Sequence, residues 1–304
     1  MRVLYRNLKK LICNGNYSLI HCHEPVGSVL ARLAACGNGA KVIYTAHGFH
    51  FYKGASWVNW IAFFLVEWLC SYLTDVLITI NQEDHAFAQQ HMHAKRIHYI
   101  HGIGVNLQKF NSSAMTDKER NVMRVSLGVG ENDRMLLSVG ELIPRKNHEV
   151  IIKALSKIND RRLKYFVAGS GELKQYLDDL AHQLGLENQI FFLGFRKDIA
   201  QLCACCDLYI LPSKQEGLSV ALLEAIACKA LVICSDIRGN KDLINQSELF
   251  DIQNINDVVN KIIKYSSGNW SNLLDENNEK MKQYCLNSVL DEMKYIYCEM
   301  ENIK

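Results

Sequence analysis

The stretch RMLLSVGELIPRKNHEVIIKALSKINDRRLKYFVAGSG, residues 134–171, decides the fold of this chain. It begins and ends with short apolar runs, RMLLSVG and LKYFVAGSG, that do not alternate with polar residues. Such runs predict strands that are covered on both faces. Between them HEVIIKALSKI, residues 148–158, repeats its apolar residues with helical spacing. A strand, a helix and a second strand in this order predict one unit of a parallel α/β sheet.

The same alternation continues to residue 236. Further strands are predicted by QIFFLGF, LYILPS and LVICSD, and further helices by LKQYLDDLAHQLGL, DIAQLCACC and SVALLEAIACK. The first 110 residues predict part of a second such unit, with strands at SLIHC, KVIYTA, DVLITI and IHYI. The polar stretch 111–121 is the predicted boundary. We therefore expect an α/β protein with two doubly wound domains, residues 1–110 and 122–290, and a C-terminal helix at 291–304.

The composition is that of a soluble globular protein, with 49% hydrophobic and 22% charged residues. A formal net charge of +2 gives no indication of a nucleic-acid partner. No signal-peptide pattern is visible. The most apolar stretch, residues 57–73, is interrupted by Asn59 and Glu67 and is shorter than the roughly 20 residues of a membrane span. We therefore expect a cytoplasmic protein in which this stretch forms a buried or interfacial helix.

The cysteines and histidines suggest no metal site. The eleven cysteines are expected to be reduced, and the CACC sequence at 203–206 lacks a second pair at zinc spacing, which favours helix packing. His21 and His23 could share a metal from one strand face, but no carboxylate or cysteine completes such a site. We interpret them as polar strand-end residues, and His91 and His93 as solvated helix positions.

Ligands of open parallel sheets bind outside the carboxyl ends of the strands. The segments that follow the predicted strands of the second domain are VGELIPRKNHE, AGSGEL, GFRKDI, PSKQEGLS and SDIRGNKDLI. Gly140, Gly169 and Gly171 in these segments would let backbone amides approach a ligand closely. Arg145 and Lys146 could supply two positive charges to a phosphate group.

The segment EGLSVALLE places one carboxylate at each end of a short apolar run, Glu216 and Glu224. A helix that starts after Gly217 would offer the amides of Gly217, Leu218 and Ser219, with its positive dipole end, to a diphosphate. Glu224 would then lie about two turns into the helix, roughly 11 Å along its axis. Acids on both sides of a diphosphate could accept hydrogen bonds from the hydroxyl groups of a nucleotide sugar. The alternative is a helix-end acid and a surface acid without a ligand.

Together these segments resemble the donor half of a GT-B glycosyltransferase of family 4, similar to the bacterial enzymes that build capsular polysaccharides and exopolysaccharides. IHCHEPVGSVLARLAA, KVIYTAHGFHFYKG and DVLITINQED resemble the acceptor half of the same enzymes. The resemblance covers nearly the whole chain and implies two Rossmann-like domains. Typical members carry a further strand and helix before the equivalent of YSLIHCHEP, so we expect an N-terminally shortened chain whose first domain is incomplete.

The resemblance also implies roles for individual residues. Glu216 would contact the transferred sugar and Glu224 the ribose hydroxyl groups. Lys146 matches the phosphate-binding lysine of the family, and His47 matches the histidine that faces the donor sugar. Glu216, Lys146 and His47 are therefore the expected catalytic residues.

Two further sets of donor-binding residues follow from the same resemblance. The backbone around Phe195 and Arg196 would line the pocket for the base. The family commonly has an arginine directly after the glycine of the first strand, where this sequence has Glu141. Arg145 is expected to supply the missing charge.

The implied activity is transfer of a hexose from a nucleotide diphosphate sugar, with UDP as the expected nucleotide, to a glycan or polyprenyl-linked acceptor. The reaction would retain anomeric configuration and need no metal or other cofactor. The aromatic residues from Trp57 to Tyr72 would either contact the inner face of the membrane, together with Lys53, or fill the core of the domain. Two other functions stay open: an inactive shortened member that binds a nucleotide sugar or a partner, and a sugar epimerase of the same fold.

Overall fold

The chain forms two compact units in the computed structural model, which describes residues 2–52, 54–111, 115–268 and 270–301. Unit 1 comprises Met1–Ile103 and Val289–Lys304, and unit 2 comprises Gly104–Ser288. Each unit contains a parallel sheet with helices, so the predicted α/β class is confirmed. The change from unit 1 to unit 2 comes before the polar stretch 111–121, and most of the C-terminal helix belongs to unit 1.

The sheet of unit 1 has the strand order β1-β2-β3-β4 within the residues described, and all its strands are parallel. Its strands are β1 (Leu19–His23), β2 (Lys41–Ala46), β3 (Val76–Thr79) and β4 (Arg96–Tyr99). The helices around it are α1 (Arg2–Gly15), α2 (Pro25–Ala35), α3 (Trp57–Asn59), α4 (Leu65–Ser71) and α5 (Gln82–His91). A π-helical turn, Trp60–Phe64, joins α3 to α4. These strands match the predicted ones.

The sheet of unit 2 has the order β10-β9-β8-β5-β6-β7, again parallel in every described pair. Its strands are β5 (Arg134–Val139), β6 (Leu163–Ala168), β7 (Ile190–Gly194), β8 (Leu208–Leu211), β9 (Val232–Ser235) and β10 (Leu249–Phe250). Its helices are α6 (Asp117–Ser126), α7 (His148–Leu155), α8 (Lys174–Gln183), α9 (Ile199–Cys205), α10 (Val220–Ala227), α11 (Asn240–Leu243), α12 (Ile255–Ser266) and α13 (Ser271–Lys280). The C-terminal helix is α14 (Leu286–Glu301).

The strand order of unit 2 reverses between β5 and β8. From β5 the chain adds β6 and β7 on one side, and it then returns to pair β8 with the other side of β5. The chain therefore leaves β5 and β8 towards opposite sides of the sheet, and ligands of such sheets bind at the carboxyl edge between these two strands.

The core of unit 2 explains the continuous apolar runs of its strands. Met135, Leu136 and Leu137 in β5 have no exposed surface because helices cover both faces of the sheet. Cys203 and Cys205 are buried in α9, as the helix-packing interpretation predicts. The described residues include all eleven cysteines, and none of these forms a disulfide.

An ion pair lies inside unit 1 where the sequence interrupts its most apolar stretch. Glu67 in α4 is buried, and its carboxylate accepts hydrogen bonds from Arg32 Nη2 at 2.8 Å and from the Tyr44 hydroxyl at 3.0 Å. The Arg32 guanidinium also lies 4.2 Å from the Tyr44 ring centre. Glu67 thus faces the interior of unit 1, where the charge of Arg32 compensates its buried carboxylate. Among the helices of the described residues, none is both long and apolar enough to cross a bilayer.

Glycines allow the loops after β5 and β6 to touch through their backbones. The amide of Leu142 donates to the carbonyl of Ser170 at 3.0 Å. A Cβ atom on Gly169 would lie 1.9 Å from the carbonyl oxygen of Gly140, and one on Gly171 would lie 2.5 Å from that of Leu142. No side chain fits at either position, so the carboxyl edge of the sheet depends on both glycines.

We expect Gly171→Ala to lower the free energy of unfolding by about 3 kcal/mol, because the new methyl group overlaps backbone atoms that cannot move independently. Gly185→Ala is the control. Gly185 has a positive φ of 68° but open space around its Cβ position, so the cost there is limited to about 1 kcal/mol of backbone strain. Urea denaturation measures both values, and equal costs for the two variants would contradict the close-packing argument.

Candidate active site

The loops that leave β5 and β8 are joined by backbone and side-chain hydrogen bonds at the switch point. The amide of Lys214 donates to the carbonyl of Arg145 at 2.8 Å. The Asn147 side chain donates to the carbonyl of Pro212 at 3.2 Å, from a left-handed backbone conformation with φ of 56°. These bonds hold the RKN sequence of the first loop against the PSKQEG sequence of the second.

Glu216 is the centre of this arrangement. Its carboxylate accepts a hydrogen bond from Lys146 Nζ at 2.7 Å and one from Arg145 Nη1 at 3.1 Å. The exposed fractions of the three side chains are 8% for Glu216, 13% for Lys146 and 41% for Arg145. The structure therefore brings together three predicted site residues, and it leaves Arg145 as the most accessible of the three.

A third cation, Arg238, contacts the backbone of Glu216. Arg238 follows β9 and is buried, and its Nε donates to the carbonyl of Glu216 at 3.3 Å. The next residue, Gly239, has φ of 76°, and a Cβ atom there would lie 2.2 Å from the carbonyl oxygen of Gly217. Sequence reasoning missed Arg238, although SDIRGNKDLI was among the strand-end segments and the R-G pair was the available signal.

The helix after this turn begins later than predicted. It starts at Val220, and the Ser219 hydroxyl caps it by accepting a hydrogen bond from the amide of Leu222. Gly217 and Leu218 thus lie in the turn before the helix, which corrects the prediction of a start after Gly217. Serine is a preferred N-cap, and its hydroxyl satisfies an amide that a start after glycine would leave open.

Glu224 consequently lies nearer the helix start than the predicted two turns. It is the fifth residue of α10, so its rise above Val220 is about 6 Å. The side chain is half-buried, and burial raises the pKa of its carboxyl, while the charge of Lys109 opposes that shift. Glu224 is therefore an acid in a weakly polar environment, unlike Glu216.

Gly140 lies directly under the lysine of the site. A Cβ atom on Gly140 would lie 3.3 Å from Cδ of Lys146, so the small residue lets the lysine stem cross the end of β5. Gly169 and Gly171 contact the same loop through the backbone, as described above. All three predicted glycines thus shape one edge of the site.

Phe195 and Arg196, the predicted base-pocket residues, follow the edge strand β7. Gly194 before them has φ of 66°, and Phe195 is 77% exposed. The Arg196 guanidinium pairs with the Asp198 carboxylate, with Nε donating to Oδ1 at 2.8 Å. Strands β5 and β6 separate β7 from β8, so the ends of β7 and β8 lie about 14 Å apart across the sheet.

In unit 1, His47 follows β2 and belongs to a histidine cluster. His47 Nε2 lies 3.0 Å from His23 Nδ1, and the rings of His21 and His23 lie 4.2 Å apart. Burial is the main cause that lowers the pKa of His47, and it lowers that of His21 to about 4. His21 also contacts the hydroxyl groups of Thr45 and Tyr297. Burial therefore favours the neutral form of His21 and His47.

Metal-ligand geometry is absent from the described ranges: no group of three or more histidines, cysteines or acids there is placed to hold an ion. His91 ends α5 in an exposed position, whereas His93 lies beyond that helix. The prediction that His93 is helical is thus wrong, because α5 ends at His91 and the amide of the C-cap residue Met92 makes the last helical hydrogen bond, to the carbonyl of Ala88.

Comparison with known proteins gives two family matches. Residues 119–286, more than half of the chain, match the family model "Glycosyl transferases group 1", and residues 1–109 match "Glycosyltransferase Family 4". The chain is 40% identical over 252 residues to the putative glycosyltransferase EpsD of Bacillus subtilis, which covers 81% of this chain and 65% of that protein. The chain thus spans slightly less than two thirds of the length of this relative.

Two other proteins are similar over most of their length. The UDP-Gal:alpha-D-GlcNAc-diphosphoundecaprenol alpha-1,3-galactosyltransferase of Escherichia coli is 26% identical over 97% of this chain and 78% of that protein. The crystal structure of Anabaena Alr3699/HepE in complex with UDP and glucose has a TM-score of 0.82 at 20% identity, over 96% of this chain and 81% of that one. The two parallel-sheet units therefore have the predicted GT-B fold.

The raised pKa of Glu224 predicts a pH-dependent effect of Glu224→Gln. Folded Glu224 holds its proton more tightly than the unfolded chain does, so its contribution to stability is present below about pH 4.5 and is lost as pH rises through the folded pKa. The variant should therefore gain melting temperature relative to the unmutated chain at pH 7, and this gain should shrink at pH 4. Thermal unfolding at both pH values, with the exposed Glu187→Gln as control, measures the effect. A gain that is equal at pH 4 and pH 7 would contradict the burial argument.

Proposed function

The chain belongs to the glycosyl transferases group 1 family, and we propose that it transfers a hexose or hexose derivative from a nucleotide diphosphate sugar to a glycan or polyprenyl-linked acceptor. The observation that carries this proposal is the Lys146–Glu216–Arg145 group at the switch point of unit 2. A family match alone gives a class of reaction, whereas this group supplies both cations for a leaving diphosphate and an acid beside them. The E. coli relative acts on a diphosphoundecaprenol acceptor, which supports a lipid-linked acceptor here.

The proposed chemistry is electrostatic. Charge grows on the diphosphate as the bond to the sugar breaks, and Lys146, Arg145 and the start of α10 stabilise that charge. Because protein cations supply this stabilisation, we propose a reaction that needs no bound metal. Departure and attack would occur on one face of the sugar, with retention of configuration, as the family resemblance implies.

The other site residues take their roles from the family resemblance. Glu216 would accept a hydrogen bond from the transferred sugar, and Glu224 would accept from the ribose. The base would bind after β7, because Phe195 and Arg196 leave the same carboxyl edge of the sheet as the Glu216 loop does. His47 would act as a neutral hydrogen-bonding group, because its pKa is lowered.

The nucleotide sugar and the sugar itself are open, and a thermal-shift panel of nucleotide sugars identifies the donor. Stabilisation rises with the logarithm of ligand concentration over the dissociation constant, so the correct donor should give the largest shift. We expect a UDP-sugar.

With that donor, Glu216→Ala and Glu224→Ala should differ in kinetics. Glu216→Ala should lower kcat by about a hundredfold or more, because its hydrogen bond to the sugar matters most in the transition state. Glu224→Ala should mainly weaken donor binding, by about 1–3 kcal/mol. The assay runs with and without a chelator. A Glu216→Ala protein with native kcat would refute the site, and chelator-sensitive turnover restored by Mn²⁺ would refute the metal-free proposal.

We also propose that unit 1 contacts the cytoplasmic face of a membrane. The segment 57–72 has two apolar faces. Trp60, Phe63 and Phe64 pack on the core of unit 1, and an outward stripe stays exposed. This outward stripe consists of Trp57, Ile61, Leu65, Leu69 and Tyr72, which are 49–73% exposed. Both interpretations of the aromatic stretch are therefore supported, each by a different face.

Unit 1 also contains a strongly basic helix. Helix α1, which packs on α2, carries Arg2, Arg6, Lys9 and Lys10 without an acidic residue. Helix α2 in turn packs on α4, so the basic helix and the apolar stripe belong to one group of helices. Such a combination favours anionic lipid. Lys53, which the sequence suggested as a lipid contact, lies outside the described residues.

Removing two residues of the outward stripe, Trp57→Ala with Leu69→Ala, should lower partitioning onto phosphatidylglycerol vesicles at least about fivefold. The matched control is Val122→Ala with Val125→Ala, since Val122 and Val125 are 62% and 73% exposed in unit 2. Co-sedimentation measures both. If the stripe variant binds vesicles as the control does, the outward stripe has no role at the membrane.

A further inference from the structure

The two cations that would receive the donor diphosphate are already paired with Glu216. Lys146 Nζ lies 2.7 Å from one carboxylate oxygen, and Arg145 Nη1 lies 3.1 Å from the other. An anion that approaches both cations competes with this carboxylate for their charge. Binding of the diphosphate can then proceed as an exchange of one anion for another.

Burial makes this exchange concerted. Glu216 and Lys146 are only 8% and 13% exposed, so water cannot replace the partner of either charge. Arg145, at 41%, is the accessible member of the group. An incoming anion should therefore meet Arg145 first and then displace the carboxylate from Lys146, so that no buried charge stays unpaired.

The backbone of Glu216 is fixed while its side chain exchanges partners. Arg238 donates to the Glu216 carbonyl at 3.3 Å, and Gly239 packs against the carbonyl of Gly217 too closely for any Cβ atom. These contacts pack the turn against the loop after β9. Rotation of the Glu216 side chain is the smallest motion that would carry the carboxylate away from the cations.

We propose that the Glu216 carboxylate is an exchangeable counter-ion, which a diphosphate displaces from Lys146 and Arg145 and which then turns to the hydroxyl groups of the sugar. This inference rests on the proposed function and adds to it a second role for Glu216. The negative charge keeps the cations compensated before the donor arrives. The same displacement delivers the carboxylate to the substrate only when a diphosphate is bound.

Inorganic diphosphate tests the exchange without the sugar, by titration calorimetry in metal-free buffer. Glu216→Gln removes the competing charge with little change of shape. The affinity of this variant for diphosphate should therefore be roughly tenfold or more above that of the native chain. Glu224→Gln is the matched control, because it removes one negative charge from α10 without a bond to either cation. Its affinity should change less than about twofold. Glu216→Asp, which keeps the charge, should stay near the native affinity.

The outcomes separate the exchange from the proposed function. If the native chain binds diphosphate and Glu216→Gln binds it no more tightly than Glu224→Gln does, the exchange is wrong and the donor site stands. If neither the native chain nor any variant binds diphosphate, both the exchange and the proposed donor site are wrong. Should Glu216→Gln fail to fold, judged by circular dichroism, Arg145→Gln decides, because the exchange requires Arg145 to receive the anion: diphosphate affinity equal to the native value would overturn the exchange.

Discussion

The contact between Lys146 and Glu216 exists only because the strand order of unit 2 reverses between β5 and β8. The two residues are 70 positions apart and leave the carboxyl ends of two paired strands. If the strands followed in chain order, these loops would lie on opposite sides of intervening strands. Two further hydrogen bonds at the same edge, from Lys214 to Arg145 and from Asn147 to Pro212, hold the two loops together. The charge arrangement of the site is thus a consequence of topology.

Close backbone packing gives this arrangement its stiffness. Gly169, Gly171 and Gly239 each bring one loop within contact of a neighbouring carbonyl, so adjacent loops support each other without side chains between them. A stiff edge matters for electrostatic stabilisation, since charges that need not rearrange during the reaction act more strongly than mobile ones. The backbone of Glu216 belongs to this edge, because Arg238 donates to its carbonyl.

Sequence patterns predicted the strands, the α/β class and the RKN–Glu216 cluster because each depends on local apolar runs or on strand ends. The start of α10 was misplaced, since Gly217 and Ser219 are both plausible boundaries and only the bond from Ser219 to Leu222 distinguishes them. Arg238 was missed because its partner is a backbone carbonyl, which carries no residue signature. Glu67 appeared only as an interruption of an apolar stretch, and its partner Arg32 is 35 residues away.

The two glutamates of EGLSVALLE lie in different electrostatic environments, and this difference argues that the two residues have different roles. Glu216 accepts hydrogen bonds from two cations, Lys146 and Arg145. Glu224 is half-buried, its pKa is raised, and Lys109 only partly offsets the cost of its charge. A carboxylate of this kind gains most from a ligand that donates hydrogen bonds to it, because those bonds replace lost hydration. Vicinal hydroxyl groups are such donors, so under the proposed function Glu224 would accept from the ribose, and Glu216, between the cations, would accept from the sugar next to the diphosphate.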